Sequence, residues 1–485
     1  MLTFARLKTN MLSSRKTDLL LADIRNGKEL SVQSKLNLII GLSIPSILAQ
    51  VSSVLMSLID ASMVGSLGAK ASAAIGLIQS TTWLFGGLTT AAVMGFSVQV
   101  AHFLGARDPQ KARQVMFQGF MVIAAFSVLL TSIALAIASP LPRWLGGGDD
   151  IAGLSTLYFS IYTASLPFFQ LGTLASSMLK CSGNMRIPSL MSLLMCVLDV
   201  VFNFLLIFPS RHISLFGTEL YIPGAGMGVA GAALGTVLAM SSTGLYLVWY
   251  AWFRSPDLSL RHESLVIKAH WSFLRNALRI SAPMACQYVL MSVAQIVSTI
   301  IVAPLGNFAI AANTFAITAE SLCYMPGYGI GEAATTLIGQ SKGAGRTELC
   351  RSFAHFTVGI GVAVMAVMGT VMYVFAPEIM GLLTPVEEIC SLGVSALRIE
   401  AFAEPMFAVS IVTYSVCVGA GDTLKPALIN LCCIWFVRLS LAAYLAPLYG
   451  LPGVWMAMAS ELVVRGLLFL HRLFRGRWLS HAMEG

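Results

Sequence analysis

Residues 67–74 read LGAKASAA and residues 305–312 read LGNFAIAA, so that Leu-Gly and Ala-Ala return after 238 positions. Beyond residue 225 the offset falls to 225, which aligns Gly228-Val229 with Gly453-Val454. A register that holds through so many corresponding turns indicates a tandem duplication. The first offset also pairs Pro45 with Pro283, Gly105 with Gly343, Arg113 with Arg351, Pro167 with Pro405, Gly183 with Gly421 and Pro188 with Pro426.

Both copies are too apolar for water. Hydrophobic residues make up 57% of the 485 residues, charged residues only 11%, and the mean hydropathy is +0.80. A soluble protein carries about 25% charged residues. The apolar runs are long and continuous, as in membrane helices, whereas barrel strands alternate over about ten residues. The predicted spans are 36–62, 72–104, 112–138, 153–179, 187–209, 226–252, 274–303, 310–341, 352–375, 391–418, 427–447 and 450–471.

The sequence therefore predicts an all-α polytopic membrane protein with twelve transmembrane helices in two pseudo-symmetric six-helix lobes. Two homologous membrane halves are the usual construction of a secondary transporter, whose substrate path lies between them. The predicted divisions are a cytoplasmic tail at 1–35, a first lobe at 36–253, a cytoplasmic linker at 254–273, a second lobe at 274–472 and a cytoplasmic tail at 473–485. An extracytoplasmic loop is expected at 209–225.

Lysine and arginine are concentrated in the segments that alternating topology places on one side of the membrane. This positive-inside pattern predicts that both termini are cytoplasmic and that the chain crosses the cell membrane many times. The net charge of +8 is thus a topology signal. No aromatic and basic stripe accompanies it, so we expect no nucleic-acid partner.

Proline and glycine are expected to interrupt some of the helices. Residues 325–331 read MPGYGIG in the eighth span, and this run is not expected to form a regular helix in mid-membrane. Pro45 and Pro283 fall early in the first span of each half. We predict bends at Pro45, Pro283 and Pro326, because irregular backbone at membrane depth is tolerated where it lines protein or a wet cavity.

Acidic residues inside the first-half spans require an explanation, because a carboxylate at a helix centre costs about 2.5–3.5 kcal/mol. Asp60 lies in span one, and Asp199 lies in span five with Asn203 one turn beyond it. The helical rise lets all three reach the outer half of the bilayer, and Thr236 of span six could add a hydroxyl. Such oxygens suit a dehydrated monovalent cation, and two desolvated carboxyl groups can hold a proton. We predict that Asp60, Asp199, Asn203 and Thr236 bind the coupling ion, Na⁺ or H⁺.

This acid cluster belongs to one half only, since the counterparts of Asp60 and Asp199 are Ser298 and Val437. The second half has a different set, in which Glu332, Arg438 and Glu461 lie near mid-depth. These three could meet as a charge-paired cluster, acting either as a structural salt bridge or in substrate binding and gating. The same set includes Glu400. Further candidates for the substrate cavity or its gating are Glu320, Glu404, Gln287 and Gln295.

Enzyme signatures are missing. The chain has no HExxH and no GxSxG, and residues 339–343 (GQSKG) do not fit a nucleotide-binding GxxxxGK[ST] loop. Its nine cysteines lack CxxC spacing, so neither a disulfide framework nor a structural metal site is predicted. We expect no cofactor beyond a coupling ion, and an ion gradient as the source of energy.

Several motifs resemble the multidrug and toxic compound extrusion (MATE) family, most closely its bacterial DinF-like branch. They are Pro45, residues 60–68 (DASMVGSLG), 325–331 followed by 333–340 (AATTLIGQ), 419–423 (GAGDT) and 453–458 (GVWMAM). The resemblance implies a V of two six-helix lobes that rocks between outward-open and inward-open states. It also implies Na⁺- or H⁺-driven export of small organic, often cationic, compounds.

The same resemblance implies roles for two residues. Asp60 matches the family's first-helix acid, which carries the coupling ion, and Pro45 matches the proline at which that helix bends. Two departures concern the fifth helix, where Asp199 precedes Asn203 instead of following it, and residues 283–303, which contain no carboxylate. The second departure favours coupling in the first lobe.

The sequence features bear on three classes of function. A cation-coupled exporter acting as a monomer in membrane lipid is the first. A lipid-linked oligosaccharide flippase of the same MOP superfamily is the alternative, but it should have a strongly cationic cavity, and only Arg438 and Arg398 could supply one. An intramembrane enzyme or a channel is disfavoured by the missing motifs and by acids confined to one half.

Overall fold

The computed structural model describes residues 16–215, 218–261 and 270–480, and the predicted tails and linker lie partly outside these residues. The described part is mainly helical. Its first half consists of α1 (residues 16–25), α2 (Val32–Gly65), α3 (Ala69–Gly105), α4 (Pro109–Ala138), α5 (Leu141–Trp144), α6 (Asp149–Ala164), α7 (Leu166–Ser182), α8 (Arg186–Ile207), strands β1 (Pro209–Leu215) and β2 (Thr218–Ala225), and α9 (Val229–Phe253).

The second half repeats this order of helices. It consists of α10 (Trp271–Val302), a 3₁₀ turn (Ala303–Leu305), α11 (Asn307–Gly343), α12 (Thr347–Val374), α13 (Ala376–Leu383), α14 (Glu387–Ala401), α15 (Glu404–Gly419), α16 (Leu424–Cys432), a π-helical segment (Cys433–Arg438), α17 (Leu439–Tyr449), α18 (Leu451–Arg475) and a final 3₁₀ turn (Arg477–Ser480).

All twelve predicted spans coincide with helical segments. In the described ranges nine segments are long and apolar enough to cross a membrane, and the bent pair α14–α15 makes a tenth. The pair α6–α7 and the glycine- and threonine-rich α11 complete the twelve.

Two of these spans differ from the prediction, because 153–179 and 391–418 are each broken into two helices. Pro167 is the second residue of α7, and its counterpart Pro405 is the second residue of α15. A proline cannot donate a backbone hydrogen bond to the preceding turn, so a new helix begins beside each one. In the second half the two helices meet at 60°.

The two halves contact each other along an interface, which we call the seam. Residues that correspond in the duplication make equivalent contacts across it. His102 Nε2 donates to the Gly419 carbonyl at 2.8 Å, and its counterpart Gln340 donates through Nε2 to the Cys181 carbonyl at 3.0 Å. A side chain at Gly105 would strike the backbone of Gln340. Likewise, a side chain at Gly343 would strike that of His102. Equivalent backbones therefore approach closely on both sides of a pseudo-two-fold axis.

The prediction that residues 325–331 break the eighth span is wrong. Helix α11 continues through Pro326 without interruption. Its glycines instead allow close packing, because a Cβ atom at Gly329 would lie 2.6 Å from the Ile47 backbone nitrogen and one at Gly331 would lie 2.5 Å from Ser415 Oγ. Pro45 and Pro283 also lie inside continuous helices, α2 and α10.

The predicted loop at 209–225 contains an antiparallel hairpin, in which β1 pairs with β2. Residues 216 and 217, which connect the two strands, lie outside the described residues. The hairpin has no counterpart in the shorter α17–α18 connection, which accounts for the change of offset from 238 to 225.

Helix α1 lies across both halves at the end of the molecule that we call the basic end, where the α3–α4, α7–α8 and α11–α12 turns meet. Leu21 and Ile24 are buried in a core that includes Phe353 and Trp478. Arg25 donates to the Ser182 carbonyl at 3.1 Å, to Gln340 Oε1 at 3.2 Å and to Asp257 at 3.0 Å. A single side chain of α1 thus contacts α7, α11 and the linker.

Candidate functional site

A single amide joins the two first-half acids. Asn203 Nδ2 donates to Asp60 Oδ1 at 2.9 Å and to Asp199 Oδ2 at 3.1 Å. Since both oxygens accept from one nitrogen, the carboxyl groups of α2 and α8 are close neighbours. Asp199 is completely buried and Asn203 nearly so. The structure therefore brings together three of the four residues that the sequence suggested for ion binding.

Helix packing positions this group. Asp199 and Asn203 are four residues apart, so they project from one face of α8. Helix α9 comes close to that face because it carries glycines there. Any side chain at Gly235 would collide with Asn203, and one at Gly231 would collide with the Leu206 backbone. The glycines of α9 thus fix the depth at which Asn203 sits.

The fourth predicted residue, Thr236, lines a cavity of about 300 Å³ that opens beside Asp60 and Asn203. Tyr158 and Tyr162 of α6 form another wall of this cavity, together with Thr82 of α3. Neither tyrosine was predicted from the sequence. Their spacing of four residues beside a buried acid pair was the only available signal, and it is too common to be distinctive.

The site has more acceptors than donors. Asp199 Oδ1 and Asn203 Oδ1 are buried and accept no hydrogen bond from any of the described residues. Two neighbouring, largely desolvated carboxylates repel each other unless a proton or a cation lies between them. Oxygen ligands of this kind match Na⁺ as well as H⁺, so the arrangement can hold either ion.

Glu332 does not join Arg438 and Glu461, and the predicted three-residue cluster is wrong in this respect. Glu332 accepts from Lys180 Nζ at 2.7 Å and from Gln50 Nε2 at 3.1 Å, and Ser46 donates to its other oxygen. All three partners belong to the first half. Helical phase explains the error, because depth alone does not say which neighbouring helix a side chain of α11 faces.

Arg438 and Glu461 do form an ion pair, at 2.9 Å between Nη2 and Oε2. Arg438 ends the π-helical segment, and Glu461 is completely buried on α18. Arg465, one turn further along α18, approaches the other Glu461 oxygen at 3.1 Å. Sequence reasoning overlooked Arg465, although its i,i+4 spacing from Glu461 was visible.

Three more glutamates surround this pair. Glu320 of α11, Glu400 of α14 and Glu404 of α15 are all buried. Arg438 and Arg465 lie close enough to Glu320 to attract its carboxyl group electrostatically. Neither Glu400 nor Glu404 accepts a conventional hydrogen bond in the described part of the chain, although the Cys323 thiol lies against Glu404. Four carboxyl groups therefore face two guanidinium groups, and the second half has an acid-rich site of its own.

The remaining predicted residues lie apart. Gln287 of α10 is buried, and its Oε1 has no donor within the described ranges, whereas Gln295 is exposed. Neither residue lines the first-half cavity. Within the described part of the chain, neither forms a hydrogen bond with the buried glutamates.

A second cavity, of about 510 Å³, lies under α1 at the basic end. Its wall carries Asp18, Arg25, Arg186 and Asp257. Burial raises the pKa of Asp18 above its ordinary value, Arg186 and Arg25 oppose the rise, and Asp257 adds to it. Acidic and basic groups balance here, so this cavity has no selective charge.

The fold and its buried acids define a two-lobed helical membrane transporter. The family model MatE matches the chain twice, over residues 45–205 and 283–444, which reproduces the duplication. The chain belongs to the MatE family, a family of multidrug efflux transporters, and is not an enzyme.

Relatives with known names agree with this assignment. The probable multidrug resistance protein NorM of Thermotoga maritima is 24% identical over 92% of this chain and 93% of its own length. The multidrug resistance protein NorM of Burkholderia vietnamiensis is 25% identical over 89% and 92%. These matches imply small organic substrates. They carry the NorM name, so the DinF-like branch stays a prediction.

Solved structures share the fold. A crystal structure of a MATE protein in complex with MaL6 has a TM-score of 0.83 at 22% identity, covering 92% of this chain and 97% of that one. The Vibrio cholerae MATE transporter VcmN in its bent form has a TM-score of 0.80 at 16% identity, covering 95% and 98%. The chain therefore has the twelve-helix, two-lobe MATE fold.

Proposed function

We propose that this protein is a secondary antiporter that exports small organic, often cationic, compounds in exchange for Na⁺ or H⁺. The observation that carries the proposal is the pair of half-buried Asp60 and buried Asp199 on one amide, with two unsatisfied acceptor oxygens beside a cavity. An ion that enters the cavity neutralises the pair, and its release recharges it. Such a change of local charge is a sufficient switch between two packings of the helices.

The lobes that we propose to move are residues 36–253 and 274–472, joined by the linker at 254–273. The seam between His102 and Gln340 closes the basic end, and we propose that this end faces the cytoplasm, together with both termini. The positive-inside distribution of lysine and arginine supports this orientation in the cell membrane. A monomer suffices, since each site is assembled within one chain.

The second-half glutamates favour a positively charged substrate. With four carboxyl groups against two guanidinium groups, a positively charged substrate or a proton would complete the charge balance at Glu320, Glu400 and Glu404. The alternative, a lipid-linked oligosaccharide flippase, would bind a phosphate and requires excess cations. The acid excess supports the exporter.

Efflux of a cationic dye from proteoliposomes tests the proposal, with an imposed Na⁺ gradient in one arm and a pH gradient in another. Wild-type protein should export the dye in at least one arm, and Asp60→Asn should lose at least tenfold of that rate. The matched control is Asp149→Asn, which makes the same change at an exposed carboxylate that does not line the cavity. Wild-type rates from Asp60→Asn would refute the coupling role, and absence of export in both arms would refute antiport.

A further inference from the structure

A pocket of about 240 Å³ lies at the basic end between α16 and α18. Lys425 near the start of α16 forms one side of it. His471, Arg472 and Arg475 near the end of α18 form the other, and Arg477 follows that helix. The pocket is separate from both acid sites and from the cavity under α1.

Most of the positive charge of this pocket has no acidic partner among the described residues. Arg472 is paired with the buried Asp422 of the α15–α16 turn, which fixes its position. Lys425, Arg475 and Arg477 are exposed and form no ion pair with a carboxylate among the residues that the structure describes. Three side chains of one sign converging on a concave surface attract an anion.

The lining helices also place the pocket at the edge of the lipid phase. Leu424 and Leu428 of α16 and Leu467 and Phe474 of α18 are exposed large apolar side chains. On a membrane protein such residues contact acyl chains, and the basic groups lie where these apolar surfaces end. A headgroup phosphate of a phospholipid lies at this level, with its acyl chains along the two helices.

We propose that this pocket binds the phosphate of an anionic phospholipid, which joins the cytoplasmic ends of α16 and α18. Lys425, Arg475 and Arg477 contact the phosphate, His471 adds a polar contact, and Ile429 and Leu468 contact the first part of the acyl chain. The bound lipid ties together the two segments that continue to Arg438 and to Glu461, respectively. The inference concerns binding alone and needs no assumption about the transported substrate.

Native mass spectrometry of the purified full-length chain tests the site. Protein exchanged into phosphatidylcholine micelles is titrated with phosphatidylglycerol, and the retained anionic lipid is counted. We expect Lys425→Gln/Arg475→Gln/Arg477→Gln to bind the tightest phosphatidylglycerol at least about tenfold more weakly, since each basic group near an anionic lipid contributes about fivefold. The charge-preserving variant Lys425→Arg/Arg475→Lys/Arg477→Lys should retain the lipid, which excludes misfolding as the cause.

The matched control removes the same charge elsewhere on the basic end, in Lys111→Gln/Arg254→Gln/Arg261→Gln of α4 and the linker. Retention of the lipid by this control supports binding in the pocket. If the control lost as much lipid affinity as the pocket variant, general surface charge would explain the effect and the proposal would be refuted. In a separate arm inorganic phosphate replaces the lipid. Competition by millimolar phosphate as effective as that of phosphatidylglycerol would overturn the assignment to a lipid.

Discussion

The polar sites of the two halves occupy corresponding positions but differ in chemistry. Thr82, Tyr162 and Thr236 line the first-half cavity, and their counterparts in the duplication are Glu320, Glu400 and Glu461. The first half has its acids elsewhere, at Asp60 and Asp199, whose counterparts Ser298 and Val437 are uncharged. The duplication thus preserved the backbone and exchanged the places of the carboxyl groups.

This difference shows that, within the described part of the chain, the site acids of the two halves have different surroundings: those of the second half lie beside arginines, and those of the first half do not. Asp60 and Asp199 have an amide between them and no cation among the described residues. Glu461 instead has two arginines. An acid without a counter-charge is available for an ion that comes and goes, whereas one that neutralises buried arginines is required for the fold.

The largest expected effect separates these two roles through stability. Glu461→Gln removes the carboxylate that forms direct ion pairs with both Arg438 and Arg465, and loss of one member of a buried ion pair costs about 3–5 kcal/mol. We expect a large fall in the unfolding temperature, measured with a thiol-reactive dye in detergent. Asp60→Asn, which removes no ion pair, should unfold near the wild-type temperature.

Glu400→Gln provides the matched control for that prediction. The substitution is the same and the cluster is the same, but Glu400 has no direct ion pair in the described residues. It should leave stability unchanged or raise it. If Glu400→Gln and Glu461→Gln were equally destabilising, the division between structural and available acids would fail.

The fold could be predicted well from the sequence because it depends on features that are visible along the chain. Twelve apolar runs gave the twelve spans, and the repeat gave the two halves. The breaks at Pro167 and Pro405 could have been read from their positions, whereas the continuity of α11 could not. Whether a proline and several glycines break a helix depends on what packs against it, here the backbone of α2 near Ile47.

The sites were less predictable, and the reason is again tertiary contact. Asp60, Asp199 and Asn203 were grouped correctly because depth along a helix follows from the rise per residue. Glu332 was assigned to the wrong group because its direction around α11 decides between Lys180 and Arg438. Tyr158 and Tyr162 were missed because no feature of α6 alone distinguishes a cavity wall from an ordinary helix face.

Packing against Asn203 gives the next comparison. Gly235→Ala places a methyl group on the Asn203 side chain, and overpacking of this kind costs about 1–3 kcal/mol. The counterpart of Gly235 is Ser460, so the second half accommodates a side chain there. Unfolding temperature and dye export should both fall in Gly235→Ala.

The control for this prediction is Gly359→Ala, at an exposed helical glycine whose added methyl group would meet no atom within 4 Å. It should be neutral or slightly stabilising, by about 0.5–1 kcal/mol, because alanine favours the helix. Equal losses in the two variants would mean that close approach of α9 to Asn203 is unimportant.

The seam itself is asymmetric at one pair. Lys180 and Glu332 form an ion pair across the halves, whereas their counterparts Val418 and Met94 belong to one apolar cluster. Lys180→Val should cost roughly 1–2 kcal/mol by leaving Glu332 without its cation. The double variant Lys180→Val/Glu332→Met copies the other side of the seam and should recover wild-type stability. A double variant less stable than both single variants would show that the two sides are not equivalent environments.

The smallest expected effect is at the symmetric pair. His102 and Gln340 are counterparts, and each donates from a side-chain nitrogen to an equivalent carbonyl, that of Gly419 or Cys181. His102→Gln should therefore change the free energy of unfolding by less than about 1 kcal/mol, since the amide can reproduce the hydrogen bond. His102→Leu keeps a side chain of similar bulk but leaves the Gly419 carbonyl without this donor, which should cost about 1–3 kcal/mol. Thermal unfolding of the two variants compares them directly.

Because His102→Gln makes the seam chemically identical on both sides, a large loss of stability in that variant would contradict the prediction. It would show that the imidazole has a role which the symmetric geometry does not require.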